Sequence, residues 1–180
     1  MPITPDTKDW TWVLERTCPE CGFDVLAFPR EDIGSMLRSN ASKWPELLRS
    51  PIARRRPSDD RWSALEYGCH VRDVFRLYEQ RLRMMLEEND PRYPNWDQDA
   101  TAVSDRYGEQ DPAEVAVQIE EAGASLADLF DSVQGAAWER TGTRSDGARF
   151  TIESFARYLI HDPIHHVHDV ERGLEELAGS

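Results

Sequence analysis

The chain has 180 residues, 39% of them hydrophobic and 31% charged, with a formal net charge of −13. That length and balance suit one folded domain over 1–180 with its own core. The charge opposes nucleic-acid binding, which relies on Lys and Arg neutralising phosphates, and no apolar run is long enough for a membrane-spanning helix.

The opening MPITPDTKDW has neither a basic start nor an apolar stretch, so no secretory leader is expected and the cytoplasm is the expected compartment. Residues 1–28 read as an irregular head. DWTWVLE could make a short extended segment, and CPECGFD is turn-like. The first helical pattern covers residues 30–48, with Ile33, Leu37, Leu47 and Leu48 as apolar positions and Pro45 weakening or kinking its end. The basic run ARRRP at 53–57 reads as a solvated linker.

The second helix opens on a capping box, Ser63 and Glu66, and carries Tyr67, Val71, Val74, Phe75, Tyr78, Leu82, Met85 and Leu86 to about Asn89. A long connection, DPRYPNWDQDATAVSDRYGEQD, follows. Its Tyr93, Trp96 and Tyr107 suggest that it packs as a lid over one end of the domain. The third helix has Asp111 as N-cap and Pro112 as first residue, with a stripe of Val115, Ile119, Ala122, Leu126, Leu129, Phe130 and Val133. The fourth opens at Thr151 and runs through Phe155, Leu159, Pro163, Val167, Val170 and Leu174. Strand signals are weak everywhere. The expected fold is all-α, a four-helix bundle with an irregular head and a long loop between helices two and three.

HDPIHHVHDV at 161–170 holds four of the five histidines and suggests a metal site. Two pairs, His161 with His165 and Asp162 with His166, have the i,i+4 spacing that places side chains together on a helix. The apolar stripe arbitrates between them. With Leu159, Val170, Leu174 and Leu177 as the buried centre, His166 falls roughly 40° and Asp162 roughly 80° from it. His161 and His165 fall near the opposite side, and His168 also points away. Asp162 and His166, joined by His70 from the second helix, make a two-His-one-carboxylate triad that leaves positions open on a metal for water or substrate. A kink at Pro163 would rotate the faces, so His161 or His165 in place of Asp162 stays open.

Three cysteines without a leader do not suggest a disulfide framework. Cys18 and Cys21 have zinc-knuckle and redox spacing, but with only Cys69 left an all-cysteine four-ligand site cannot be built. The expectation is an N-terminal turn with two buried or idle thiols, and Cys69 as a small core residue.

RWSALEYGCHVRDV (61–74) followed distantly by YLIHDPIHHVHDV (158–170) resembles the DinB-like superfamily, which includes the N-terminal metal-binding domain of mycothiol-dependent maleylpyruvate isomerases. The resemblance covers about residues 30–172. Trp62, His70, Asp162 and His166 match its pattern, with Asp169 in its later acidic position. It implies a four-helix bundle and a divalent metal, commonly zinc or nickel. In some members it implies transferase or isomerase chemistry on a low-molecular-weight thiol. Many members carry His or Glu where this chain has Asp162. The isomerases add a C-terminal domain with no counterpart before Ser180, so the resemblance is not carried to maleylpyruvate isomerisation itself. The leading expectation is a metal-dependent enzyme with a small-molecule substrate or thiol. The competing one is a non-catalytic metal-binding or dimerising module, a homodimer through an apolar helix face.

Overall fold

Local chemistry starts three of the long helices. The computed structural model describes residues 10–179; the first nine residues, on which the N-terminal reading above largely rested, and Ser180 lie outside the described residues. Ser63 caps α3 (Ala64–Glu87): its hydroxyl accepts from the Glu66 N–H while the Glu66 carboxylate accepts from the Ser63 N–H. Asp111 caps α5 (Pro112–Asp131) by accepting from the Ala113 and Glu114 N–H groups. Thr151 caps α6 (Ile152–Ala178) through Ser154. Each such cap is worth about 1 kcal/mol.

The helix expected over 30–48 is divided. A 3-10 turn at Arg30–Asp32 leads into α1 (Ile33–Ala41), and α2 (Trp44–Arg49) follows after a break. Pro45 is the cause. It lacks the N–H that a continuous helix would need there, yet it is well tolerated in the first turn of a new helix. Pro163 behaves differently: α6 runs unbroken through it. The buried Asn40 amide donates to the Pro163 carbonyl at 2.8 Å and accepts from Trp44 Nε1 at 3.3 Å, so one side chain fastens α1 and α2 to α6 beside the proline.

The core lies between α1, α3, α5 and α6. Leu37, Phe75, Leu82, Ile119, Leu126, Phe155 and Leu159 are fully buried in it. Gly123 lets α5 approach closely: a Cβ there would lie 2.7 Å from Ala41 Cβ and 3.2 Å from the Phe75 ring.

The connection between α3 and α5 is more ordered than a loop. It holds β1 (Arg92–Tyr93), α4 (Gln98–Ser104) and a 3-10 turn at Tyr107–Glu109. Tyr93 and Tyr107 are buried, and Trp96 is half-buried against His70. β2 (Thr141–Arg144) and β3 (Arg149–Thr151) complete a three-stranded sheet in the order β1-β2-β3, parallel then antiparallel. These strands are too short to show a period in sequence. The fold is otherwise helical, as expected. In the head, the described part of DWTWVLE is not extended: Thr11–Leu14 form a 3-10 turn, packed against α6.

Candidate metal centre

His70 lies early in α3, where Tyr67 and Val74 continue its face towards α6. Its imidazole is 1% exposed and held by aromatic rings. Trp96 stacks on it at 5.3 Å and 9°, and Trp62 lies against it at 5.4 Å. Asp162 and His166 come from successive turns of α6. Asp162 Oδ2 is 3.5 Å from His70 Nε2, and Asp162 Oδ1 is 3.5 Å from His166 Nε2. One donor atom from each of the three residues lies within 4.8 Å of the others. The structure thus brings together the three residues singled out from the sequence.

The polar accounting around His70 is unusual. Neither ring nitrogen of His70, both of them buried, has a hydrogen-bond partner among the described residues, and neither does Asp162 Oδ2. Buried polar atoms are nearly always satisfied, because an unmet donor or acceptor costs about 1–3 kcal/mol. Two imidazoles and one carboxylate are a donor set suited to a divalent transition metal, and these orphaned atoms fit one.

The electrostatics agree. Burial would raise the Asp162 carboxyl, but its electrostatic interaction with the adjacent His166 and His70 imidazoles holds it well below the usual carboxylate range. Burial would lower His166, but Asp162 and Asp169 override it and push the imidazole up to about 10. The carboxylates that favour a proton on His166 would also favour a metal cation, which would have to displace that proton to bind. Asp169 Oδ2 sits 3.3 Å from His166 Nδ1, on the side away from Asp162, and so orients the ring.

The three residues open onto a cavity of about 1010 Å³. The start of α4 and the residues before it form one wall, so the connection expected to lie over one end of the domain lines this site. Arg81 forms another wall. It is buried, donates to the Pro94 carbonyl at 2.7 Å and lies over the Tyr93 ring at 4.8 Å. Its Nε has no hydrogen-bond partner, and Arg81 forms no ion pair among the described residues. Arg144, by contrast, is paired with Asp146 at 2.8 Å.

The helical wheel misplaced the other histidines. His161 and His165 are buried, not solvated, and His168 is half-buried. The wheel allowed α6 one buried face, whereas the head covers a second. Cys18 Sγ lies 3.7 Å from His165 Nδ1, and Cys21 Sγ 3.7 Å from His161 Nε2. Of the buried or idle thiols expected in this turn, Cys18 is buried and Cys21 half-buried, and both face histidines of α6. Burial, with His165 nearby, drives His161 down to about 4, so its ring is neutral at physiological pH. Cys69 is a buried core residue, as expected, its thiol pushed up by burial to about 12. The signal for the second group was in the sequence as C-x2-C and H-x3-H. It was divided between chain segments 140 residues apart.

No curated protein matches this chain by sequence. A solved structure of YfiT from Bacillus subtilis, described as a probable metal-dependent hydrolase with an unusual four-helix bundle topology, matches with a TM-score of 0.64. The two are 16% identical, and the match covers 96% of this chain and 93% of that one, a likeness of fold. The family model for the DinB superfamily matches residues 35–170, from α1 into the second half of α6 and including His70, Asp162 and His166. By that match the chain belongs to the DinB superfamily.

Proposed function

We propose that the protein is a divalent-metal-dependent enzyme whose ion is held by His70, Asp162 and His166, and whose substrate is a small molecule with an anionic group. The observation that carries this reading is the convergence of three donors, several of their atoms buried and unsatisfied, on the wall of a large cavity. Three protein ligands would leave coordination positions open for water or substrate, and all three residues line that cavity. A zinc or nickel ion bound there supplies a Lewis acid and lowers the pKa of a water or thiol beside it.

The chain's own residues do the rest. Asp169 fixes the His166 ring, and Trp62 and Trp96 exclude water from around His70. Arg81, buried without a carboxylate partner, is the group best placed to hold a substrate anion.

The finer reading is a transferase or isomerase that uses a low-molecular-weight thiol. It rests on the family likeness and on a cavity roomy enough for a thiol and a second molecule. Hydrolysis is the second reading. The observation favouring it is the fold shared with YfiT, described as a probable metal-dependent hydrolase.

The experiment is to strip the protein, reload it with zinc or nickel, and assay electrophilic carboxylates with and without small thiols. Thiol-dependent turnover that disappears in His70→Ala supports the first reading, and thiol-independent ester or amide cleavage supports the second. A wild-type protein that binds no divalent ion outside its cysteines would overturn both.

A further inference from the structure

Beside the His70 centre lies a second set of donors that the function above does not use. We propose that Cys18, Cys21, His161 and His165 bind a structural zinc ion that fastens the N-terminal head to α6.

The geometry is that of a four-coordinate site. One donor atom from each residue lies within 4.8 Å of the other three, and each cysteine sulfur is 3.7 Å from its facing imidazole nitrogen. With ordinary zinc–sulfur and zinc–nitrogen bond lengths, a tetrahedron has sulfur–nitrogen edges of about 3.6 Å and a sulfur–sulfur edge of about 3.8 Å. Movements of a few tenths of an ångström up to about one would close the four donors on an ion.

The backbone suits the role. Cys18 to Gly22 form a tight turn in which Gly22 N–H donates to the Cys18 carbonyl at 2.9 Å. Gly22 has φ +73, a conformation that favours glycine. Cys18, His161 and His165 are buried, and Cys21 is half-buried. Trp10 lies against both histidine rings, at 5.7 Å and 5.4 Å. Two thiolates would neutralise the ion, so the buried unit carries no net charge, which lowers the cost of burying it.

The site also answers a structural need. Among the described residues of the head before Pro29, only Val13, Cys18 and Val25 are buried, too few to anchor it by apolar contact alone. Cys18 and Cys21 lie outside the residues matched by the family model, whereas His161 and His165 lie within them.

The two sites share a support. His165 uses Nδ1 towards Cys18, leaving Nε2 facing Asp169 Oδ2 at 3.6 Å; the same oxygen holds His166 Nδ1 at 3.3 Å. One carboxylate therefore orients a ligand of each site.

The test uses the full chain, reduced, with zinc and then cobalt(II) as the probe. We expect two equivalents of metal, and a cobalt spectrum with thiolate-to-metal charge-transfer absorption in the near ultraviolet. Cys18→Ser with Cys21→Ser should remove one equivalent and that absorption. His70→Ala should remove the other equivalent and keep the absorption, so failure of the catalytic reading would leave this one standing. Wild-type protein without the charge-transfer absorption, metal content unchanged by the double substitution, or a Cys18–Cys21 disulfide that persists in reductant would each overturn the proposal. The wild-type spectrum decides even if the double variant fails to fold.

Discussion

Replacing Asp169 with asparagine should weaken metal binding at both sites at once. The side chain keeps its shape, so packing on α6 is little changed, but the negative charge is lost. Its Oδ2 now faces His166 Nδ1 at 3.3 Å and His165 Nε2 at 3.6 Å. An amide oxygen in the place of Oδ2 would still face both rings, but without the negative charge it is a weaker acceptor for either N–H and no longer makes the rings better donors to a metal. Losing a carboxylate that orients a ligating histidine typically lowers metal affinity about 10–100-fold. That is about 1.4–2.8 kcal/mol at each site. Glu20 also faces His165 Nε2, at 3.6 Å, but its side chain is 54% exposed, so solvent screens it and Glu20→Gln should shift affinity far less. The assay is competition for zinc against a chelating dye, with the cobalt spectrum separating the thiolate site from the His70 site and circular dichroism confirming the helices. If both affinities in Asp169→Asn stay within twofold of wild type, the orienting role is wrong. If only one site weakens, the carboxylate is not shared.

His70→Ala, Asp162→Ala and His166→Ala should each abolish or strongly weaken binding of the equivalent that lacks thiolate ligands, whereas His168→Ala should leave total metal content unchanged; elemental analysis checks all four. Glu66 makes stability depend on acid. Burial would raise its carboxyl, but Arg56, bonded to both oxygens, and Ser63 hold it below its ordinary value. A depressed folded-state pKa means that its contribution is complete above the ordinary glutamate range and is lost as pH falls through the folded value. Unfolding free energy measured from pH 6 down to about 3 should therefore fall more steeply in wild type than in Glu66→Gln, and parallel curves would contradict the assignment. Gly123→Ala should destabilise the fold by about 1–3 kcal/mol in urea, because the new methyl would press on Ala41 and Phe75; an unchanged midpoint would mean that α1 and α5 can part without loss.

The amino-acid sequence by itself determined the long helices, because their caps are local. Ser63 with Glu66, Asp111 with Pro112, and Thr151 each act within one turn of chain, and the apolar stripes that follow repeat at the helical period. It also brought out Asp162 and His166, whose four-residue spacing holds on any α-helix, and His70 on the facing helix. The break before α2 was half legible, since Pro45 announced a disturbance but not a second helix. Only the tertiary structure decided the rest. The sheet pairs Arg92 with Thr143 through strands of two to four residues, too few for a period. The fate of His161 and His165 depended on what covers the far side of α6. A wheel weighs apolar residues on one helix and assigns polar ones to water. Here the covering surface is the head, which meets those histidines with Trp10, Cys18 and Cys21. Polar residues can be buried when a distant segment supplies their partners, and no spacing within a single helix records which segment that will be.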